Sequence, residues 1–454
     1  MSELETLPIR ELAGLVADRA LSAVEVTNHF LARMATLDGA LAGFNLPTPE
    51  AARTAAAALD ARLSSGDAAG PLAGVPLSVK DVADVSGLVS AGASASRAEC
   101  RAQEDALAVA RLRAADGILL GKANCHELAF GGPSFDLPFP PARNPWNPGC
   151  FPGGSSSGAG VTVAAGLCLG SLATDTAGSI RLPATLCGVV GLKPGRGVVP
   201  LEGIAALAPS MDHAGPVART ADDARILFDV MTGRAPTPAF TGDLKGRRIG
   251  IPPDDWGVGA LMHADVRAGL EATLATARSE GAEIVRLDLP PLDAFHAPGT
   301  IIMMAEVARE HGAAVRAGWD RFGAIFRVRA LVGEGISPDD YRMAERLRAV
   351  LTARLVAALA KVDALLVPGA LSPAGPLADV DPFYFMKDPI PNIVANFTGL
   401  PALAFPAGLA ADGMPVGVQI IGKPGTEHRL LDIAESFEHA DPERFAARPP
   451  PGQA

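Results

Sequence analysis

Short apolar runs alternate with amphipathic helical segments along most of this chain. Apolar residues recur with helical spacing at residues 23–37 and 104–115, and compact apolar runs lie at residues 77–82 and 118–120. The alternation resumes over residues 248–439. A repeat of three to four positions predicts a helix, and a short apolar run bounded by Gly or Pro predicts a buried strand. Their alternation is typical of α/β proteins, in which helices cover a central sheet.

Residues 130–154 interrupt this alternation. The stretch is rich in proline and glycine, from Gly131 and Pro133 to the pair Gly153 and Gly154. Both residue types disfavour regular structure, so the segment is expected to be an irregular loop on the surface or lining a site.

Size and charge exclude several classes of protein. With 454 residues, of which 48% are hydrophobic, the chain is too apolar for disorder and large enough to bury an extensive core. The net charge is −11, and no block of Lys and Arg interleaved with aromatic residues occurs, so no nucleic-acid partner is expected. The longest apolar stretches, such as residues 161–169, are too short to span a bilayer. Glu3 and Glu5 argue against a secretory signal.

The cysteines and histidines do not suggest disulfides or metals. Five cysteines are scattered without CxxC spacing, which is typical of reduced cytosolic thiols, and a cytoplasmic location is expected. The eight histidines form no HExxH motif and no cluster, so neither a metal site nor a cofactor is expected. Each histidine is expected to be an ordinary surface or core residue.

Three short segments contain the residues that could carry chemistry. They are Val79-Lys80-Asp81, Gly153-Gly154-Ser155-Ser156-Ser157-Gly158 and Thr174-Asp175-Thr176-Ala177-Gly178-Ser179-Ile180-Arg181. Taken alone, a lysine after an apolar run is usually a surface residue, and a Gly/Ser loop is usually a linker or turn. Their combination is much more specific.

Together the three segments resemble the amidase-signature family. In that family a lysine, a serine in a Gly-Gly-Ser-Ser loop and a serine in a later Asp-Thr-(Gly)-Gly-Ser-Ile-Arg segment form the catalytic triad. The matching residues are Lys80, Ser155 and Ser179; the first two lie 75 positions apart and the last two 24 positions apart, which fits the family layout. Further matching segments are residues 121–124, 143–147, 187–194, 399–402 and 413–422.

The resemblance covers most of the chain. It is clear over residues 70–230 and 390–440 and faint over residues 235–385. It implies a single α/β domain over residues 1–454, with a large mixed sheet flanked by helices on both sides. We expect residues 70–230 to be the catalytic core segment and residues 235–385 to form variable walls of the substrate pocket.

The chemistry of serine explains why a lysine would be needed. A serine hydroxyl is a poor nucleophile at neutral pH and requires a neighbouring base. No histidine lies near the three segments in the sequence, which leaves Lys80 as the candidate base. Burial disfavours an ammonium ion, so a lysine among apolar strands can be neutral. The resemblance implies that Ser155, in a cis peptide linkage, relays the proton between Lys80 and Ser179.

The segment around the second serine supplies further expected site residues. Consecutive backbone N–H groups can bind the oxyanion of a tetrahedral intermediate, and small residues let the substrate carbonyl approach. We expect Asp175 and Arg181 to brace this loop, and Gly154 and Ser156 to support the serine loop. The expected oxyanion-hole residues are Thr176, Ala177, Gly178 and Ser179. Ala177 stands where the family often has glycine, a departure that affects pocket shape.

The start of the irregular loop supplies expected substrate contacts. The candidates are Phe130, Gly131, Gly132 and Phe135. Its aromatic content favours an apolar or aryl substrate. The resemblance implies a serine hydrolase that cleaves the carbon–nitrogen bond of a small-molecule amide or carbamate through an acyl-enzyme on Ser179. Aryl amides, aliphatic amides, ureas and carbamates, including urethanes, remain open as substrates, and a monomer or homodimer is expected.

Other interpretations compete with this one. Residues 154–158 also fit the G-x-S-x-G pattern of an α/β-hydrolase with Ser156 as nucleophile, but that motif requires a preceding strand and residues 147–152 contain prolines. Cys150 has no adjacent histidine and is expected to be a loop residue.

Two alternatives concern function. The amidase subunit of a tRNA-dependent amidotransferase belongs to the same family and works in a complex that delivers ammonia to aminoacyl-tRNA. Neither residues 130–136 nor residues 235–385, where the family resemblance is faint, resemble the corresponding parts of that subunit. The other alternative, a binding protein without catalysis, is disfavoured because all three triad positions are filled.

Overall fold

The apolar runs of the chain pair into one mixed sheet of 11 strands. The computed structural model describes residues 4–254 and 256–449. The strands are β1 (Phe44–Pro47), β2 (Pro76–Lys80), β3 (Ile118–Ala123), β4 (Gly170–Asp175), β5 (Val190–Lys193), β6 (His213–Ala218), β7 (Arg248–Ile251), β8 (Glu283–Arg286), β9 (Ala364–Pro368), β10 (Ala402–Leu409) and β11 (Pro415–Ile421). Their order across the sheet is β1-β3-β2-β4-β6-β5-β10-β11-β9-β7-β8.

Helices flank this sheet, as the sequence predicted. They are α1 (Ile9–Ala17), α2 (Ala23–Leu41), α3 (Pro49–Ser64), α4 (Leu107–Ala114), α5 (Ser157–Ala164), α6 (Arg181–Cys187), α7 (Ala221–Met231), α8 (Ala264–Ser279), α9 (Leu292–Ala317), α10 (Ala324–Val332), α11 (Pro338–Leu359), α12 (Tyr384–Lys387), α13 (Ile393–Thr398), α14 (Glu427–Ala440) and α15 (Pro442–Ala446). The described residues form a single α/β domain with the expected mixed sheet.

Most expected elements are confirmed, with shifted ends. α2 begins at the expected residue 23 but continues to Leu41 rather than ending at residue 37. β2 spans Pro76–Lys80 rather than residues 77–82. The described residues 130–154 contain neither a helix of the α type nor a strand, as their proline and glycine content predicted.

The pairing of β2 with β4 brings two of the quoted segments together. β2 is parallel to β4, with Val79 opposite Leu172. Neighbouring parallel strands end at the same edge of a sheet. Lys80, the last residue of β2, therefore lies near the end of β4, and the chain that leaves β4 contains Ser179.

A glycine brings α5 against the end of β3. A Cβ placed on Gly158 would lie 2.3 Å from the backbone nitrogen of Asn124 and 2.4 Å from the carbonyl oxygen of Gly43. No side chain fits in that space. The N–H of Gly158 donates to the carbonyl oxygen of Asn124 at 2.9 Å. The start of α5, and with it the serine loop that precedes it, is therefore held against the sheet.

Helices from the segment with the faint resemblance, residues 235–385, pack into a large apolar cluster. Phe295, Phe326 and Leu355, from α9, α10 and α11, belong to one apolar cluster with Leu365 and Val367 of β9. Helices that bury aromatic and aliphatic side chains against a sheet are stabilised mainly by the hydrophobic effect. The helices α9, α10 and α11 are thus part of the folded core.

No helix within residues 4–254 and 256–449 is both long and apolar enough to cross a membrane. In the same ranges, no group of three or more His, Cys, Asp or Glu side chains is arranged to hold a metal ion.

Candidate active site

Lys80 lies at the end of β2 with its side chain fully buried. Its Nζ is 2.9 Å from the Oγ of Ser155 and 2.8 Å from the Oγ1 of Thr174. The structure therefore joins two residues of the predicted triad that are 75 positions apart in the sequence. It adds Thr174, a neighbour of the amine that the sequence reasoning did not single out.

Burial also controls the protonation of this amine. Removing an ammonium ion from water disfavours its charged form. Burial lowers the pKa of Lys80 to about 8, although the negative charges of Asp175 and Asp212 act in the opposite direction. At pH 7 about one molecule in ten has a neutral Lys80, and above pH 8 most molecules do. The side chain can therefore accept a proton at neutral pH.

The serine loop is tied to both neighbouring segments. The peptide bond between Gly154 and Ser155 is cis. The Oγ of Ser156 donates to the carbonyl oxygen of Thr174 at 2.9 Å, and the N–H of Ser156 donates to the carbonyl oxygen of Ser179 at 3.2 Å. Ser156 thus holds the loop in place through both its side chain and its backbone.

His126 is a further neighbour of this loop. Its backbone N–H donates to the carbonyl oxygen of Ser155 at 3.0 Å, and its Nδ1 accepts the N–H of Gly132 at 2.6 Å. A Cβ on Gly154 would lie 2.0 Å from the ring. Burial lowers the pKa of His126 to about 3, and the hydrogen bond from Gly132 occupies the lone pair of Nδ1. This neutral imidazole is a support for the loop and not a competing base.

Ser179 lies in the turn between β4 and α6, with 9% of its surface exposed to a cavity. Within the described residues its hydroxyl makes no hydrogen bond, so the contact with Ser155 that the resemblance implies is not formed here. Catalytic hydrogen bonds often tighten only when substrate binds. The backbone hydrogen bond from Ser156 keeps the two hydroxyls on adjacent loops.

A buried ion pair fixes the turn that carries Ser179. The carboxylate of Asp175 accepts the N–H of Gly178 at 2.7 Å and that of Ile180 at 3.1 Å. Arg181 donates its Nε to the same carboxylate at 3.0 Å, and both side chains are fully buried. Burial alone would raise the pKa of Asp175, but the Arg181 guanidinium outweighs it and holds that pKa well below its ordinary value. The pair braces the turn from inside the protein.

Asp175→Asn is expected to lower the free energy of unfolding by about 3 to 5 kcal/mol at pH 7, because it leaves Arg181 buried without a counter-charge. A carboxylate with a lowered pKa stabilises the fold above its unfolded pKa, near 4, and loses that effect as the pH falls further. The difference between the two proteins should therefore shrink below about pH 4. Chemical denaturation at several pH values measures it.

The matched control is Asp222→Asn, which removes the carboxylate of an ion pair with the exposed Arg10. Surface pairs of this kind contribute at most about 1 kcal/mol. Equal losses of stability in the two variants would contradict the bracing role of Asp175.

The four expected oxyanion amides are not equivalent. The N–H of Gly178 already donates to Asp175. Unlike the expectation, this amide is therefore not free to bind the oxyanion. The N–H groups of Thr176, Ala177 and Ser179 donate to no acceptor in the part of the chain that the structure describes. These three amides border the cavity beside the nucleophile candidate.

The cavity has a volume of about 360 Å³ and largely apolar walls. Phe130 and Gly131 line it, as expected. Gly132 and Phe135 do not. The N–H of Gly132 is turned toward His126, and the Phe135 side chain is 61% exposed to solvent on the loop surface.

Other cavity walls come from distant parts of the sequence. Met303 of α9, Leu371 and Phe385 come from the segment expected to vary, and Leu182 and Asn392 come from outside it. Asn392 was not predicted, because nothing in its local sequence distinguishes it. Its place at the site depends on α12 and α13 folding back over the turn that carries Ser179.

Comparisons with known proteins show the family to which this chain belongs. The model of the amidase family matches residues 25–431. One relative is a glutamyl-tRNA(Gln) amidotransferase subunit from Geobacter metallireducens. It is 35% identical over 477 residues, covering 96% of this chain and 98% of that protein.

Two solved structures share the fold over nearly their whole length. One is a chain of an inhibitor-bound complex described as vestigial and as revealing the origins of an s-triazine catabolic enzyme. It has a TM-score of 0.89 and 29% identity, covering 98% of this chain and 100% of that one. The other, described as an amidase, has a TM-score of 0.87 and 33% identity, covering 95% of this chain and 99% of that one. With its matching motifs and fold, this chain belongs to the amidase-signature family of enzymes.

Proposed function

We propose that this protein hydrolyses the carbon–nitrogen bond of a small-molecule carboxamide through an acyl-enzyme on Ser179. The observation that carries the proposal is the buried Lys80 amine, 2.9 Å from the Ser155 hydroxyl and with a pKa of about 8. Among the residues that the structure describes, no carboxylate forms an ion pair with this buried amine, and a base needs a pKa near the working pH.

The proposed acylation step moves one proton through two hydroxyls. Ser155 gives its proton to the neutral Nζ of Lys80 and takes the proton of Ser179 as the latter attacks the carbonyl carbon. The carbonyl oxygen becomes an oxyanion near the N–H groups of the turn. When the tetrahedral intermediate collapses, the carbon–nitrogen bond breaks and the amine leaves with a proton returned from Lys80 through Ser155.

Deacylation repeats this path with water. A water molecule attacks the ester carbon while its proton passes by way of Ser155 to Lys80. The carboxylic acid leaves, and Ser179 recovers its proton. Atoms and protons balance over the cycle, because one amide and one water give one acid and one amine. No oxidant or reductant is needed.

The cavity favours a substrate with an apolar body. Phe130, Phe151 and Phe385 line it together with Leu182 and Met303. Pockets with mainly apolar walls and a few polar groups bind apolar small molecules and use the polar groups for orientation. Aryl or aliphatic amides fit this description, and an aryl carbamate would use the same acyl chemistry.

The second candidate function is that of the amidase component in a tRNA-dependent amidotransferase. The 35% identity to the Geobacter metallireducens protein over nearly the full length of both chains favours it. Ammonia would then leave when a carboxamide substrate forms the acyl-enzyme on Ser179, and partner subunits would use that ammonia. This function would require a complex, whereas the first requires only this chain.

Activity of the isolated chain separates the two functions. We expect the purified protein to hydrolyse benzamide, 4-nitroacetanilide or a phenyl carbamate with kcat on the order of 1 s⁻¹ or more, a typical enzymatic rate. L-glutamine, a polar carboxamide, should be a poor substrate because the walls are apolar. Release of ammonia or 4-nitroaniline is the readout.

Inactivity of the isolated chain on the whole panel would overturn the first proposal. Hydrolysis of glutamine that appears only with co-purified partner subunits would support the amidotransferase function.

A further inference from the structure

Asn392 lies against the turn that carries the nucleophile. It precedes α13, lines the cavity and is only 3% exposed. A Cβ placed on Gly178 would lie 2.6 Å from the Cβ of Asn392 and 3.4 Å from its Nδ2. Gly178 has φ +124°, so both the backbone and this close approach require glycine. The side chain of Asn392 is thus adjacent to the residue that precedes Ser179.

The position of Asn392 is fixed by the same ion pair that braces the turn. Arg181 donates its Nη2 to the backbone carbonyl oxygen of Asn392 at 2.8 Å. Arg181 also pairs with Asp175, which accepts the N–H of Gly178. One buried network of hydrogen bonds therefore fixes the position of Asn392 relative to the turn that carries Ser179.

The side-chain amide of Asn392 has a donor without a partner. Its Nδ2 is buried and has no acceptor within residues 4–254 and 256–449. Of the other buried polar side chains that line the cavity, Thr176 donates its hydroxyl to Asp212 at 2.6 Å, and Ser179 is the nucleophile candidate. Buried donors nearly always have an acceptor, so a buried donor without one beside a cavity is a candidate to bind a molecule in that cavity.

The side-chain amide of Asn392 could also replace a donor that the expected oxyanion site lacks. The N–H of Gly178 is committed to Asp175, which leaves the backbone amides of Thr176, Ala177 and Ser179. The torsion about the Cβ–Cγ bond of an asparagine is soft, so Nδ2 can turn toward the cavity without movement of the backbone. Asparagine side chains are effective donors to oxyanions.

We propose that Asn392 Nδ2 donates a hydrogen bond to the substrate carbonyl oxygen as it becomes the oxyanion on attack by Ser179. Asn392 is then a catalytic residue that takes the place of the Gly178 N–H. The inference rests on the proposed function, because this oxyanion forms only if Ser179 is the nucleophile.

The test compares Asn392→Leu and Asn392→Asp with the parent protein. Leucine keeps the volume and removes the donor, and aspartate replaces the donor with an acceptor. Both should lower kcat about 100-fold or more, while KM changes less than about threefold, because the contact forms mainly in the transition state. The loss should be similar for every amide that the parent hydrolyses. The control is Asn28→Leu, the same change at an exposed position on α2, which should leave kcat unchanged.

Two readouts that do not depend on amide turnover accompany the kinetics. Phenylboronic acid forms a tetrahedral adduct with a nucleophilic serine, and its affinity should fall about 100-fold in Asn392→Leu. The affinity of benzoate, which resembles the product, should change little. The melting temperature of Asn392→Leu should stay close to that of the parent, since the amide nitrogen of Asn392 has no hydrogen-bond partner to lose.

Several results would overturn the inference. They are a rise in KM at constant kcat, a loss confined to particular acyl groups, an unchanged boronate affinity, or a loss that follows thermal destabilisation. If the parent hydrolyses no amide and a fluorophosphonate does not label Ser179, the proposed function fails and the inference fails with it. If the parent is active and Asn392→Leu matches it, only the role of Asn392 is wrong.

Discussion

Ser179→Ala is expected to lower kcat/KM for amide hydrolysis by about 10⁴-fold or more, because the residual rate would come only from binding and the oxyanion site. The fold should be unaffected, since the Ser179 hydroxyl makes no hydrogen bond among the described residues. Steady-state kinetics on the preferred amide and a thermal unfolding curve measure both effects.

Two companion variants make this test specific. Ser156→Ala removes the residue that an α/β-hydrolase motif would make the nucleophile. It should retain far more activity than Ser179→Ala, because its hydroxyl is engaged with Thr174. Ser65→Ala, which removes an exposed hydroxyl after α3, should match the parent. If Ser156→Ala were the inactive variant and Ser179→Ala the active one, the assigned nucleophile would be wrong.

Lys80→Met is expected to lower kcat/KM by about 10³-fold, the size of a typical general-base contribution. Methionine fills nearly the same volume without a titratable group. In the parent, only the neutral amine is active, so kcat/KM should rise about tenfold per pH unit below pH 8 and level off above it. The residual rate of Lys80→Met should lack this dependence. A pH–rate profile between pH 6 and 10 measures it.

The same substitution should not destabilise the fold. Burial lowers the pKa of Lys80 from 10.5 to about 8. The folded state therefore binds fewer protons than the unfolded state between these values, and stability due to this group rises with pH over that window. At pH 7 the buried lysine costs about 3 kcal/mol, which Lys80→Met removes along with two hydrogen bonds.

Lys122, on the neighbouring strand β3, provides the contrast. It is also fully buried, but its Nζ lies 3.2 Å from the carboxylate of Asp81. Lys122→Met would leave Asp81 without its partner and should lose about 3 to 5 kcal/mol. A large loss of stability in Lys80→Met, or a parent profile without a rise toward pH 8, would contradict the role assigned to Lys80.

The sequence was most informative where local pattern decides structure. The helical spacing at residues 23–37 and the apolar run at residues 77–82 correspond to α2 and β2, with shifted ends. The proline and glycine content of residues 130–154 predicted an irregular segment. In each case a short stretch of residues contains the physical cause, namely the period of apolar side chains or the loss of backbone donors.

Longer elements and tertiary neighbours were harder to predict. The 26-residue helix α9 contains Pro298 and Gly299, which weaken any helix prediction. Its burial beneath α11 and α13 overrides that local preference, as Phe295 and Ile302 show by being fully enclosed. Propensity is a weak guide where packing supplies most of the stability.

The candidate site shows the same division. Lys80, Ser155 and Ser179 were chosen by resemblance, and the structure places the first two in contact. His126, Asn392 and the occupied amide of Gly178 could not be inferred, because each depends on contacts between segments far apart in the sequence. Phe135 was expected in the pocket for its aromatic ring, but the loop turns it to solvent.

The most direct test of the account is to treat the parent protein with a fluorophosphonate and locate the adduct by peptide mass spectrometry over a range of pH. A single adduct on Ser179, formed at a rate that rises with pH and levels off near pH 8, is the predicted result. An adduct on Ser156, or a labelling rate that stays constant from pH 5 to 9, would contradict a Ser179 nucleophile driven by a neutral buried lysine.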